Sequence, residues 1–124
     1  ALGVSQQSLD KWRHSAAIEF WHVGASLQFE QEKAQAIHEH NVSGTQNAIE
    51  LAAKLGASHF IYLSTAYSCG DDSGLIAESI HSLTNSFNNE YERSKCLAEH
   101  QVVEHCARHE IDCRIVRPSI VVGL

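Results

Sequence analysis

Tyr91 and Lys95 lie four residues apart in the stretch NEYERSKCLAEH (Asn89–His100), a spacing that stacks them on one helix face. The apolar stripe of that helix runs Tyr91, Ala98, Val102 and Cys106, so Lys95 points inward with the tyrosine. A buried ammonium is costly without a partner. It can snorkel out along its stem, or it can serve the phenol. A phenol of pKa about 10 is a poor acid–base group at neutral pH. An ammonium one turn away favours the phenolate and brings the group toward working range. Such a pair suits proton transfer at a carbonyl oxygen. Tyrosine and lysine at this spacing also arise by chance, so the elements that position them must decide.

Those elements alternate. The apolar run AAIEFWHVGAS (Ala16–Ser26) reads as a buried strand. From about Glu30 to Leu55 the period becomes helical, with Ile37, Asn41, Thr45, Ala48 and Ala52 on one stripe and Gly56 placed as a C-cap. SHFIYLST (Ser58–Thr65) is a second strand. A polar stretch from Ser68 to Asn88 is a long loop, and loops of that length usually carry function or move. The Tyr91 helix runs to about His109, and DCRIVRPSIVVG supplies a third strand. The order strand–helix–strand–loop–helix–strand gives two βαβ units and a parallel α/β sheet, whose strands are expected to be covered on both faces. Three strands are few, and an edge is left open.

In such sheets ligands collect at the carboxyl ends of the strands. His22, Gly24 and Ala25 end the first strand, the two small residues allowing a flat ligand near the backbone. Ser64 and Thr65 end the second, and Pro118 and Ser119 follow the third. The Thr65 hydroxyl could hold a substrate oxygen between itself and the phenol. Plainer readings exist for each. Ser64-Thr65 also suits a turn that bonds its own backbone, Asn41 a satisfied buried amide, and Arg117-Pro118 a strand stop.

Composition narrows the field. The 124 residues carry a net charge of -6 with 9 scattered Lys+Arg, which argues against a nucleic-acid surface. No apolar run is long enough to span a bilayer, and the first twenty residues do not read as a signal peptide. Cys69, Cys96, Cys106 and Cys113 form no C-x-x-C pair, so reduced thiols in a cytoplasmic protein are expected. Nine histidines include His105 and His109 on one face, but no convergent set of three or four metal ligands can be assembled.

Taken together, HVGAS, NVSGTQNAIELA, FIYLSTAYSCG, NEYERSKCLAE and VRPSIVVG resemble an extended short-chain dehydrogenase/reductase of the epimerase/dehydratase superfamily. The similarity is strongest to the thioester-reductase or male-sterility branch, relatives of fatty acyl-CoA and carboxylic acid reductases, and runs from about Ile18 onward. It implies Tyr91 as catalytic acid–base, Lys95 as the residue that holds the nicotinamide ribose and tunes Tyr91, and Thr65 as the third member of a triad. It also implies that His22, Gly24 and Ala25 meet the adenosine half of a dinucleotide. Asn41 and Ser64 would lie near the cofactor, and Pro118, Ser119 and Ile120 would line the nicotinamide. NADP(H) is expected ahead of NAD(H), with a carrier- or CoA-bound acyl substrate and an acyl or peptidyl carrier protein as partner.

Three parts of that family's pattern are missing. There is no G-x-x-G-x-x-G phosphate loop, no acidic or basic residue at the end of the family's second strand to choose NAD or NADP, and no substrate-binding part after the third strand read here. The chain contains no methionine and ends on an apolar run. It is therefore expected to be the central part of a Rossmann domain, cut at both ends, with little activity when isolated. A sugar-nucleotide epimerase or dehydratase, or a hydroxysteroid-type dehydrogenase, keeps the fold with other chemistry. A non-catalytic Rossmann module keeps the fold without any.

Overall fold

The computed structural model describes residues 3–13 and 17–123. Helix α1 (Gln6–Arg13) precedes strand β1 (Glu19–His22). A 3-10 turn at Gln31–Lys33, helix α2 (Ala34–His38), a π-turn at Glu39–Ser43 and helix α3 (Gly44–Leu55) follow without a gap. Strand β2 (His59–Leu63), a 3-10 turn at Ala66–Cys69, helix α4 (Glu90–Arg108) and strand β3 (Asp112–Val116) complete the order.

The sheet is parallel, with β2 between β1 and β3. Register sets Phe20 beside Phe60 and Cys113, and His22 beside Tyr62 and Ile115. One layer of helix covers it. Ala48, Ile49 and Ala52 of α3 and Ala98, Val102 and Cys106 of α4 close over Phe60 and Tyr62 in a single core. Only the central strand is buried along its length. The edge strands alternate, Trp21 being 61% and Val116 44% exposed. This corrects the expectation that every strand is covered on both faces: α3 and α4 pack on each other and on the same side.

Boundaries differ in the same physical sense. Regular strand pairing ends at His22 and Val116, short of Ser26 and Gly123, with only the Pro118 carbonyl still paired beyond Val116. Ala16 lies outside the described residues. The helix expected over Glu30–Leu55 runs on through the π-turn, whose flanking residues stay in the right-handed helical region. One extra residue rotates the face by about 100°, and Ile37, Asn41, Thr45, Ala48 and Ala52 all remain buried. Gly56 ends α3 at φ 73°, the left-handed cap that glycine adopts at no steric cost.

The 70–89 loop is pinned at several points. Asp71 N donates to Ser86 O at its base (2.9 Å), and Asn85 Nδ2 donates to Cys69 O (2.9 Å). Gly70, at φ 67°, lets the strands of this neck touch: a Cβ there would sit 2.2 Å from Ser86 O. His81, 8% exposed, reaches Ser68 Oγ through Nδ1 (3.1 Å), while its carbonyl accepts from His100 Nε2 of α4 (2.8 Å).

Candidate active site

Three consecutive residues at the end of β2 divide the work. Leu63 O accepts a proton of Lys95 Nζ (2.7 Å), Ser64 turns its hydroxyl to Glu99, and Thr65 faces a cavity. Ladder bonds continue past the strand: Ser64 N donates to Val116 O (2.8 Å) and Ala66 N to Pro118 O (2.9 Å). They bring the Ser119 segment to the same rim. The cavity, about 490 Å³, is lined by Thr65, Tyr91, Ser119, Ile120 and the apolar Leu27 and Phe29. The Phe29 ring meets Tyr91 edge-on at 5.3 Å.

Local sequence explains how Tyr91 gets there. Asn89 caps α4, its Oδ1 accepting from Glu92 N (2.9 Å), so the helix starts just before the tyrosine. Glu92 lines the cavity too, 6% exposed, its carboxylate accepting from Asn88 N (2.9 Å). Thr65 begins the 3-10 turn and accepts weakly from Tyr67 N at 3.3 Å, leaving its hydroxyl proton free to donate.

Lys95 is 2% exposed, with Nζ 4.2 Å from the centre of the Tyr62 ring. Burial pulls its pKa down to about 8, against the raising influence of Glu99. An ammonium has three donors, and among the described residues only Leu63 O takes one. The remaining two suit a hydroxylated ligand.

At the β1 end, Thr45 Oγ1 donates to Asn41 O (2.6 Å), which commits its proton. His22 must then donate to Thr45 through Nε2 (3.1 Å), leaving Nδ1 as an acceptor. Burial, then the Lys95 charge, lowers the His22 pKa to about 4, so the ring is neutral at physiological pH. Asn41 is occupied by protein: Oδ1 accepts from Ser26 N (2.7 Å), and Nδ2 donates to Ser26 O (3.2 Å) and Ser94 Oγ (3.0 Å). It holds the backbone of the strand-end loop rather than projecting into space.

His22, Gly24, Ala25 and Gly44 line a second recess of about 480 Å³. Packing does not demand glycine at 24 or 44, where a Cβ would meet nothing closer than 3.9 Å. A flat group could lie against that backbone. The structure thus gathers Thr65, Tyr91, Ser119 and Ile120 at one cavity and His22, Gly24 and Ala25 at another. Lys95 is buried between helix and sheet, Pro118 contributes its carbonyl to the ladder, and Asn41 and Ser64 face other protein groups.

The sequence reading passed over Glu99, Arg117 as an ion partner, Phe29 and Ser94. Glu99 was visible as the next step of the Tyr91–Lys95 face, eight residues beyond the tyrosine.

The sequence profile of the family described as male sterility protein matches residues 1–123. The chain belongs to that family. No curated protein matches it. Among solved structures, UDP-glucuronic acid 4-epimerase from Bacillus cereus in complex with NAD superposes with a TM-score of 0.75 at 23% identity, over 98% of this chain and 37% of that one. UDP-glucose 4-epimerase from Brucella ovis in complex with NAD gives 0.73 at 21% identity, over 88% and 34%. At that identity both show the fold alone, a parallel Rossmann-type sheet. The terminal R domain from the myxalamid PKS-NRPS biosynthetic pathway gives 0.69 at 26% identity, over 98% of this chain and 31% of that domain. This male sterility family segment therefore spans about a third of the chains it resembles.

Proposed function

We propose that this segment is the catalytic middle of a Rossmann-fold, NAD(P)-dependent reductase, NADP(H) being the preferred carrier, which reduces a carrier- or CoA-bound thioester to aldehyde or alcohol. The observation that supports it most is the meeting of Thr65 and Tyr91 at one cavity, with Lys95 buried one helical turn behind the phenol.

A dinucleotide fits the residues at hand: spare donors on Lys95, an acceptor at His22 Nδ1, and open backbone at Gly24 and Gly44. The bound nicotinamide would supply the hydride. Thr65 donates to the substrate carbonyl oxygen and sets its direction. Tyr91 gives its proton to that oxygen as negative charge develops. The Lys95 ammonium stabilises the phenolate left behind. The phenolate then takes back the hydroxyl proton of the resulting hemithioacetal as its C–S bond breaks, and the departing thiolate takes a proton from solvent, leaving aldehyde and thiol. Phe29, Leu27 and Ile120 give the mouth of the cavity an apolar wall against which an acyl chain could pack.

The R domain at 26% identity supports the acyl-thioester reading, and a UDP-Glc/GlcNAc 4-epimerase from Campylobacter jejuni at 27% keeps sugar-nucleotide chemistry as the second reading. With the full-length polypeptide, acyl-CoA and carrier-bound thioesters should drive net oxidation of NADPH. Conversion of UDP-sugars without net oxidation would overturn the reading in favour of an epimerase. Failure to bind either dinucleotide would leave a non-catalytic module.

A further inference from the structure

Behind the cavity, α4 buries a strip of alternating charge. Lys95 and Glu99 lie one turn apart on the same face, 2% and 0% exposed. Glu99 Oε1 accepts from Ser64 Oγ (2.5 Å) and Arg117 Nε (2.9 Å), and Oε2 from Arg117 Nη2 (2.6 Å). The same Arg117 Nη2 donates to Ser79 O of the long loop (2.8 Å). One carboxylate therefore links α4, the end of β2, the segment after β3 and, through Arg117, the 70–89 loop. A buried carboxylate is costly to desolvate, and this one is held by three donors.

We propose that Glu99 is a positioning residue for Lys95: clamped by Ser64 and Arg117, its carboxylate keeps the Lys95 ammonium charged beneath Thr65 and Tyr91. The consequence for turnover rests on the reductase reading; the effect on Lys95 does not. Lys95 faces Leu63 O and the Tyr62 ring of β2, His22 of β1 and Glu99 of its own helix. Glu99 is the one anion among these. Burial already lowers Lys95 to about 8, and Glu99 alone holds it up. Without that charge the effect of burial on Lys95 is unopposed, and neutral lysine is favoured.

The test is an NMR titration of the full-length polypeptide labelled at lysine Cε, with the Lys95 signal assigned by its loss in Lys95→Gln. The parent should titrate near pH 8. Glu99→Gln keeps the shape and should titrate lower by about one unit or more. Glu99→Gln combined with Arg117→Gln removes both charges, which guards against unfolding by an unpaired guanidinium, and should show a similar fall. The alkaline limb of turnover should move with Lys95 in each. An unchanged Lys95 titration in either folded variant overturns the proposal, since a merely structural Glu99 would not move it. A shifted titration alongside full turnover in Tyr91→Phe supports the Glu99 role and sinks the reductase reading instead.

Discussion

The two ends of the crevice solve the problem of buried polarity differently. At the β2–α4 end it is handled by ions: Lys95, Glu99 and Arg117, with full charges in a dry setting. At the β1 end it is handled by neutral groups: His22, Thr45 and Asn41 in a chain of hydrogen bonds, with histidine held uncharged. The ends are coupled, because the Lys95 charge helps keep His22 neutral. A charged end suits a reaction that creates and removes charge. A neutral end suits a flat, hydroxylated ligand that must be held and not transformed.

The largest effect should come from breaking the ionic end. Arg117→Ala leaves the Glu99 carboxylate buried without its cation and should cost about 3–5 kcal/mol in denaturant unfolding of the full-length polypeptide. At the neutral end, Asn41→Ala strands Ser26 N and Ser26 O, while Ser94 Oγ keeps its bond to Tyr91 O, and should cost only about 1–3 kcal/mol. Equal costs would dissolve the distinction. Acid should also act on the neutral end. The His22 pKa falls from 6.5 unfolded to about 4 folded, so its contribution is complete above 6.5 and is lost as pH drops toward 4. That amounts to roughly 2 kcal/mol by about pH 5, and a His22→Gln chain should show a flatter acid limb. Smallest of all, Gly24→Ala should change stability by less than about 0.5 kcal/mol, while dinucleotide affinity measured by calorimetry falls. Unchanged affinity would remove the ligand from that recess.

Much of this was legible in the residues. The continuous apolar run of β2 announced a strand, and the Tyr91–Lys95 spacing announced a helix face with a buried cation. The edge strands were read too long, because an apolar run does not show where its ladder partner stops. The π-turn was hidden because Asn41 fits the helical stripe whether or not the turn is widened. Its amide goes to Ser26, a contact between positions fifteen residues apart that local periodicity does not encode. The Glu99–Arg117 pair is concealed for the same reason, its partners lying on different elements. Helix α1 had no reading at all, since its polar residues expose most of its surface and bury only Leu9.

The central claim is that Tyr91 delivers the proton. In the full-length polypeptide, Tyr91→Phe removes one hydroxyl and keeps the ring that packs on Phe29. Turnover of a thioester substrate should fall by about a hundredfold or more, with dinucleotide affinity changed by less than about twofold. Retained turnover would contradict the account and return Tyr91 to the status of a packing residue.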